Sequence, residues 1–432
     1  MNKTKPVKWV PSLYFAMGLP FVILNMVVVL MFRGLGISDT KIAFWTSLIM
    51  LPWTLKPLWS PLLEMYKTKK FFVVLTQIVT GILFALVAMS LRLPDFFSYT
   101  IAILAVVAFS GATHDIAADG VYMNLLDTEG QAEYIGWQGA FYNLAKVTAM
   151  GGLVYLAGIL KASVGVLNTW MIIMSCCSGL MILLGLYHIR ILPSDIKLSK
   201  EPVSYRESMS NLWDVIRSFF EKKYIWLYIL FIILYRFAEG FVIKIVPLFL
   251  AAPVENQGLG LTEQEIGLYY GSFGAGAFIL GSFLSGYYVA RFGLKKTLFS
   301  LCLIFNIPFA VYALFAIYQP TSLFLISSGI VLEYFGYGFG FVGLILFMMQ
   351  QIAAGKHQMA HYAFASGIMN LGVMLPGMIS GYLSDMTGYR EFFIFALLPA
   401  IPAFILAYFI PFRETAAEQE AEDEQKDSVL AN

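Results

Sequence analysis

What most constrains the fold of this chain is a succession of apolar runs, each about twenty residues or longer, parted by short polar turns. A helix needs roughly 20 apolar residues to cross a bilayer, and within it every backbone N–H and C=O must be satisfied inside the segment. Such runs fall at 9–31, 40–62, 70–91, 97–125, 134–160 and 167–190, then at 224–250, 263–289, 297–318, 321–350, 358–383 and 392–412. The reading is an all-α integral membrane protein with twelve transmembrane helices in two halves. An N-terminal six-helix half occupies 1–190, a polar linker 191–223 and a C-terminal six-helix half 224–412. The acidic tail 413–432 is expected to be disordered. The basic N-terminus leads into a run too long for the core of a signal peptide, so that run is read as a retained first span.

Composition agrees. Charged residues make up 13% of the chain, against about 25% in a soluble globular protein. A net charge of +1 with no basic domain argues against nucleic acid as a partner. Cys176, Cys177 and Cys302 lie in apolar runs without CxxC or metal-type spacing. They are expected to be small core residues, and no metal site or cofactor is expected.

Orientation follows from the basic residues, which collect in cytoplasmic loops. With the N-terminus inside, 19 of the 28 Lys and Arg fall inside, five outside and four within spans. One helix more or fewer would invert every later loop and destroy that asymmetry. Both termini are therefore expected to be cytoplasmic.

An internal repeat supports the two halves. Gln131, Asn143-Leu144 and Tyr155 recur 227 positions later as Gln358, Asn370-Leu371 and Tyr382. The second and eighth spans both run into a basic turn: Pro61-Leu-Leu-Glu64-Met-Tyr-Lys67-Thr-Lys69-Lys70 and Gly286-Tyr-Tyr-Val-Ala-Arg291-Phe-Gly293-Leu-Lys295-Lys296. Two parallel six-helix halves joined by a cytoplasmic linker form the major facilitator architecture. The glycine-rich turn resembles that superfamily's signature, and its implied role is gating by Glu64, Gly286, Arg291 and Gly293. Ala290 stands where the signature usually has an acid. A phosphate cradle is the rival reading of the same glycines, but no strand precedes them.

The functional argument rests on intramembrane charge, which costs about 2.5–3.5 kcal/mol per central residue on insertion scales. The residues are Lys56, Asp115, Asp119, Lys146, Arg236, Glu239, Lys244 and Glu333. All lie on first or second helices of three-helix units, the ones expected to line the cavity or join the halves. Lys146, Arg236 and Glu333 fall near the midplane. Asp115 and Asp119 share a helix face nearer the cytoplasm, and Arg236 can pair with Glu239 three positions on. In one reading these charges are structural pairs, Asp115 or Asp119 with Lys146 and Arg236 with Glu239 or Glu333. In the other, at least one carboxylate among Asp115, Asp119, Glu239 and Glu333 carries a coupling proton, with His114 as a candidate relay. Lys146, Arg236, Lys244, Tyr14, Asn25, Trp137, Tyr142 and Asn143 are the substrate-binding candidates, because cations, aromatic rings and amides suit an anionic saccharide.

The motifs resemble a known family. Gly111-Ala-Thr-His-Asp115-Ile-Ala-Ala-Asp119 resembles the "ATQDIxxDA" stretch of muropeptide permeases (AmpG) and the related acetyl-CoA transporters. Trp59-Ser-Pro-Leu-Leu-Glu64-Met-Tyr66 resembles their "WxPLxDxY" turn. Tyr235-Arg-Phe-Ala-Glu239 resembles "YKLGDA", and Glu333-Tyr-Phe-Gly-Tyr-Gly338 resembles "ENFxxGxG". The resemblance implies proton-driven import of an amino-sugar saccharide or muropeptide across a bacterial inner membrane. It points to Asp115, Asp119, Arg236, Glu239 and Glu333. His114 departs from the pattern, standing for Gln, so another saccharide, such as an acidic disaccharide, stays open as substrate. The expected protein is a monomeric symporter, not an enzyme, whose partners are the substrate, protons and lipid. A small-molecule exporter is the first alternative, but Gly139 to Gly158 lacks the proline of the antiporter motif. A non-transporting sensor is the second.

Overall fold

The computed structural model describes residues 5–59, 63, 68–126, 128–193, 205–354 and 358–412, with backbone alone at 128–133, 135–136, 205–212 and 358–359. Among these residues the secondary structure is entirely helical. Among the described residues, nine stretches are long and apolar enough to cross a membrane. The elements are α1 (Pro6–Gly34), α2 (Asp39–Leu48, resuming at Leu51–Leu55), α3 (Lys69–Ser90) and α4 (Phe96–Leu125). Next come α5 (128–164) and α6 (166–191), which meet at Gly165, and α7 (Ile225–Tyr235 and Phe237–Ala251). The rest are α8 (Glu263–Phe292), α9 (Leu294–Tyr318), α10 (Leu323–Ile352), α11 (Gln358–Thr387) and α12 (Tyr389–Phe409). Two further apolar runs are not continuous helices: α2 breaks near Ile49, and α7 at Arg236 (φ −103°, ψ 3°).

The halves repeat one packing scheme. Gly18 of α1 lies against Tyr142 of α5, and Gly240 of α7 lies against Val373 and Pro376 of α11. The α5–α6 and α11–α12 turns are built alike, on Gly165 (φ 78°, ψ 165°) and Gly388 (φ 81°, ψ 162°). Side-chain-bearing residues are nearly excluded from that conformation. α1 and α7 run through the interior. α12 instead displays Ile401, Ile405, Tyr408 and Phe409, and α6 displays Leu183 and Leu186, the apolar outer surface that lipid covers. Cys177 and Cys302 are buried, whereas Cys176 is exposed on α6, so the expectation of three core cysteines holds for two of them. It fails for Cys176 because adjacent helix positions point about 100° apart.

One end of the bundle carries Lys8, Pro411 and the linker helix, and is called here the linker face; the other is the far face. Tyr187 donates to the Lys8 carbonyl at 2.6 Å and Tyr228 to that of Pro411 at 2.8 Å. Within the linker, Tyr205–Phe220 is a helix. It docks on α11 through Ser218 Oγ, 3.1 Å from His361 Nε2, and through the Phe219 ring, 5.6 Å from the His361 ring. Glu64, Lys67, segment 194–204 and the acidic tail lie outside the described residues.

The halves touch along α2–α11 and α5–α8. Glycines allow the closest approaches: a Cβ on Gly381 would meet the Asp39 carbonyl, and one on Gly271 the backbone of Met150. At the linker-face ends of α5 and α8, Gly139 and Gly286 have nothing within contact distance of a Cβ. The halves thus pack backbone against backbone at Asp39–Gly381 and Met150–Gly271.

Candidate functional site

A cavity of about 450 Å³ lies between the halves. The N-terminal half contributes Asn25, Trp53, Tyr142, Asn143 and Lys146. The C-terminal half contributes Arg236, Glu239, Lys244, Tyr312, Glu333, Tyr334 and Tyr337. The midplane trio expected from sequence therefore meets in one place.

Arg236 sits at the break in α7, and its guanidinium folds back onto Glu239 in a bidentate pair, Nε to Oε2 and Nη2 to Oε1, both at 2.6 Å. The pair is nearly sealed from solvent, with 9% and 3% of the two side chains exposed. Such a pair is rigid and strongly held, because either partner alone would be an uncompensated buried charge. Asn306 of α9 donates to the Tyr235 carbonyl beside the break at 3.3 Å. Glu333 of α10 accepts from Tyr312 at 2.8 Å.

The two lysines differ from Arg236 in kind. Lys146 of α5 reaches into an aromatic cage of the opposite half, its Nζ 4.5 Å from the Tyr334 ring centroid, 5.3 Å from Phe278 and 5.9 Å from Tyr337. Cation–π attraction of that kind is worth about 2 kcal/mol when desolvated. Lys244 of α7, only 1% exposed, reaches back to the first half. It donates to the Asn25 carbonyl (3.2 Å), Asn25 Oδ1 (3.1 Å) and the Thr46 carbonyl (3.3 Å). Asn25 lies in a π-helical stretch of α1, Ile23–Val27, of the type that often marks functional positions. Among the described residues neither lysine has a carboxylate at ion-pair distance.

The carboxylates of α4 form a separate group toward the linker face. Asp115 Oδ2 accepts from Trp53 Nε1 at 2.9 Å and lies 3.9 Å from Lys56 Nζ. Asp119 Oδ1 accepts from Tyr14 at 3.0 Å. Lys56, not Lys146, is thus the cation beside Asp115, because Lys146 points across to the other half. Tyr14 serves Asp119 and does not line the cavity. His114 turns away from Asp115 into the α1–α3–α4–α6 bundle. There the Gln77 amide bridges two histidines, its Nε2 2.9 Å from His114 Nε2 and its Oε1 2.8 Å from His188 Nδ1. His188 Nε2 lies 2.9 Å from Ser12 Oγ. Neighbouring positions on a helix point about 100° apart, which separates His114 from its sequence neighbour. Trp137, expected at the substrate, is exposed and stacks on Phe141 at 5.9 Å.

At the far face, polar bonds cross between the halves. Tyr389 donates to Asp39 at 2.8 Å, and Asp39 also pairs with Arg33. The Thr40 backbone N–H and hydroxyl donate to Asp385 at 3.2 and 2.5 Å, and Lys161 donates to Glu263 at 2.5 Å. A more open depression of about 580 Å³ is lined by Arg33, Asp39, Asp385 and Tyr389, and none of the midplane charges lines it. On the linker face, Gly293 (φ 80°) makes the turn from α8 to α9, and Arg291 lies 5.6 Å from the Phe292 ring. Among the described residues, no group of three His, Cys, Asp or Glu is placed to hold a metal.

Residues that sequence reasoning missed are Trp53, Tyr270, Phe278, Tyr312, Tyr334 and Tyr337. Tyr337 stands four positions after Glu333, which is the spacing that could have exposed it.

Broken helices around a charged central cavity between two repeated halves define a secondary transporter. The chain belongs to the Major Facilitator Superfamily, which it matches over residues 12–353 and 236–432. It is a multi-pass membrane transporter and not an enzyme. It is 25% identical over 405 residues to the anhydromuropeptide permease of Escherichia coli (strain K12), covering 91% of this chain and 77% of that protein. It is 24% identical over 415 residues to an uncharacterized protein of Haemophilus influenzae, covering 92% of each. Among solved structures, the nucleoside transporter NupG superposes with a TM-score of 0.68 at 15% identity, covering 94% of this chain and 98% of that one. The inward-open xylose transporter XylE from E. coli superposes at 0.68 with 12% identity, covering 96% and 98%.

Proposed function

We propose that this protein is a proton-coupled symporter that imports an anionic, amino-sugar-containing oligosaccharide of the muropeptide type across a bacterial inner membrane by alternating access. The observation that carries this is the charge imbalance of the cavity. Three cations face it, Lys146, Arg236 and Lys244, against two carboxylates, and Glu239 is already committed to Arg236. A substrate carboxylate would supply the missing anion, and the surrounding tyrosines would stack on sugar rings. The permease relatives support the same substrate class.

In this reading the chain forms twelve spans with the linker face cytoplasmic, its halves at 1–190 and 224–412 joined by 191–223, and it works as a monomer. The far-face bonds close the outer gate. The turn at Gly286, Arg291 and Gly293, with Glu64 in the first half, governs the inner gate. Substrate draws Lys146 from its aromatic cage and Lys244 from the first half's carbonyls, so binding weakens contacts that hold this state. Asp115, Asp119 and Glu333 are the sites for the coupling proton.

The test is uptake into proteoliposomes under an imposed inward proton gradient. Three labelled probes are compared: an anhydromuropeptide, a neutral amino-sugar disaccharide and an acidic disaccharide. Gradient-driven accumulation of an anionic probe is expected. Binding without accumulation, or movement indifferent to the gradient, would overturn symport.

A further inference from the structure

Trp53 occupies a position that no motif singles out. It lines the central cavity and packs against the Phe21 ring, centroids 5.4 Å apart. Its indole N–H donates to Asp115 Oδ2 at 2.9 Å, a carboxylate outside the cavity lining. The ring rests on Gly111 of α4, one turn before Asp115, where an added Cβ would come within 2.8 Å of Cζ2 and 3.1 Å of Cη2. The side chain is 4% exposed, so it cannot shift toward one neighbour without leaving another. Asp115 does not line the cavity, whereas Trp53 lines it and bonds to Asp115.

We propose that Trp53 is the positioning residue that transmits occupation of the cavity to Asp115, so that substrate and proton bind cooperatively. This rests on the symport reading above. An indole is a donor only, and it satisfies the ionised carboxylate. A sugar ring pressing on the cavity side of Trp53 withdraws that donor. The neutral acid, which carries its own O–H, then becomes the better-matched form of Asp115. Substrate thus favours proton uptake, and by linkage the proton favours substrate. The other groups around Asp115 are Lys56 on α2, Asp119 on α4, Tyr14 on α1 and Tyr142 on α5. On α11, Tyr362 faces Asp119. None of these both lines the cavity and bonds to Asp115.

The experiment compares the wild-type protein with Trp53→Phe, which keeps a ring and removes the N–H, and with Gly111→Ala, which pushes the indole while leaving its N–H. Each is reconstituted at full length. Anhydromuropeptide binding, gradient-driven accumulation and the pH profile of uptake are measured. Trp53→Phe is expected to lower accumulation at least about tenfold and displace the pH profile, while Kd rises no more than about threefold. Gly111→Ala is expected to change accumulation and the pH profile in the same sense by a smaller factor. Failure of the wild-type protein itself to accumulate the probe overturns the symport reading. Wild-type accumulation, with Trp53→Phe matching it or losing binding in parallel, overturns only the role of the indole. Should Trp53→Phe fail to fold, Gly111→Ala decides alone: a wild-type pH profile in it overturns the proposal.

Discussion

The two halves hold the carboxylates inside the bundle in different ways. In the C-terminal half, Glu239 and Glu333 face the cavity, one locked by a bidentate arginine and the other by a single tyrosine. In the N-terminal half, Asp115 and Asp119 lie off the cavity, each held by one neutral donor, with Lys56 at the limit of ion-pair distance. A strongly paired charge resists change, whereas a carboxylate on one neutral bond can gain or lose a proton at modest cost. The difference suggests a division of labour. Under the proposed symport mechanism, the C-terminal half would shape the binding site and the N-terminal half would carry the proton, with Glu333 as its counterpart.

The largest expected effect comes from breaking the strongest pair. Arg236→Ala or Glu239→Ala alone should destabilise the protein by about 3–5 kcal/mol, because one buried charge is left without its partner. The double change Arg236→Met with Glu239→Leu should recover most of that stability without recovering transport. Thermal unfolding in detergent, read beside uptake, checks this. Equal loss of stability in the single and double variants would show that the pair does not organise this half.

The division itself is tested by Asp115→Asn against Glu333→Gln. The first should lower gradient-driven accumulation about tenfold or more with little change in KM. The second should also raise KM, since Glu333 lines the cavity. Identical profiles in the two variants would erase the distinction between halves.

A smaller effect is expected from Lys146→Gln. Loss of one cation at the cavity should weaken binding of an acidic probe about tenfold, or about 1.4 kcal/mol, and leave a neutral one nearly unaffected. Isothermal titration with both probes decides, and equal losses would assign Lys146 to packing.

Smallest of all is His114→Ala. The histidine belongs to the Gln77–His188 network and not to the Asp115 site, so the cost should be about 1 kcal/mol of stability. Accumulation should stay within about twofold of wild type. A displaced pH profile of uptake would return His114 to the coupling path.

Sequence reading went furthest where the physics is one-dimensional. Lipid demands apolar runs of fixed length, so element positions were legible from hydropathy, and the broken α2 and α7 were still recognisable as runs. Intramembrane charges stand out against such a background, which is why Lys146, Arg236, Glu239, Lys244 and Glu333 were on view before any coordinates. The Arg236–Glu239 pair was legible too, since three positions along a helix bring side chains together.

Partners across helices were not legible. Lys146 as a partner for Asp115 is plausible from sequence, but helix rotation turns Lys146 toward Tyr334 and leaves Lys56 beside Asp115. His114 adjoins Asp115 in sequence and faces away from it in space. Aromatic residues are common throughout an apolar chain, so nothing marked Trp53, Tyr312 or Tyr334 as cavity residues until the helices were packed.

The sequence by itself determined that this chain lives in lipid, that it is doubled, and which ionisable groups must find company inside it. Desolvation cost depends on residue type and position along a span, and both can be read in one dimension. Tertiary structure alone decided who that company is: a tyrosine for Asp119, an indole for Asp115, an aromatic cage for Lys146, and bare carbonyls and an amide of the opposite half for Lys244. Those choices depend on the rotation and depth of neighbouring helices, which are set by close packing at small residues such as Gly111, Gly240 and Gly271 and are encoded in no single stretch of chain.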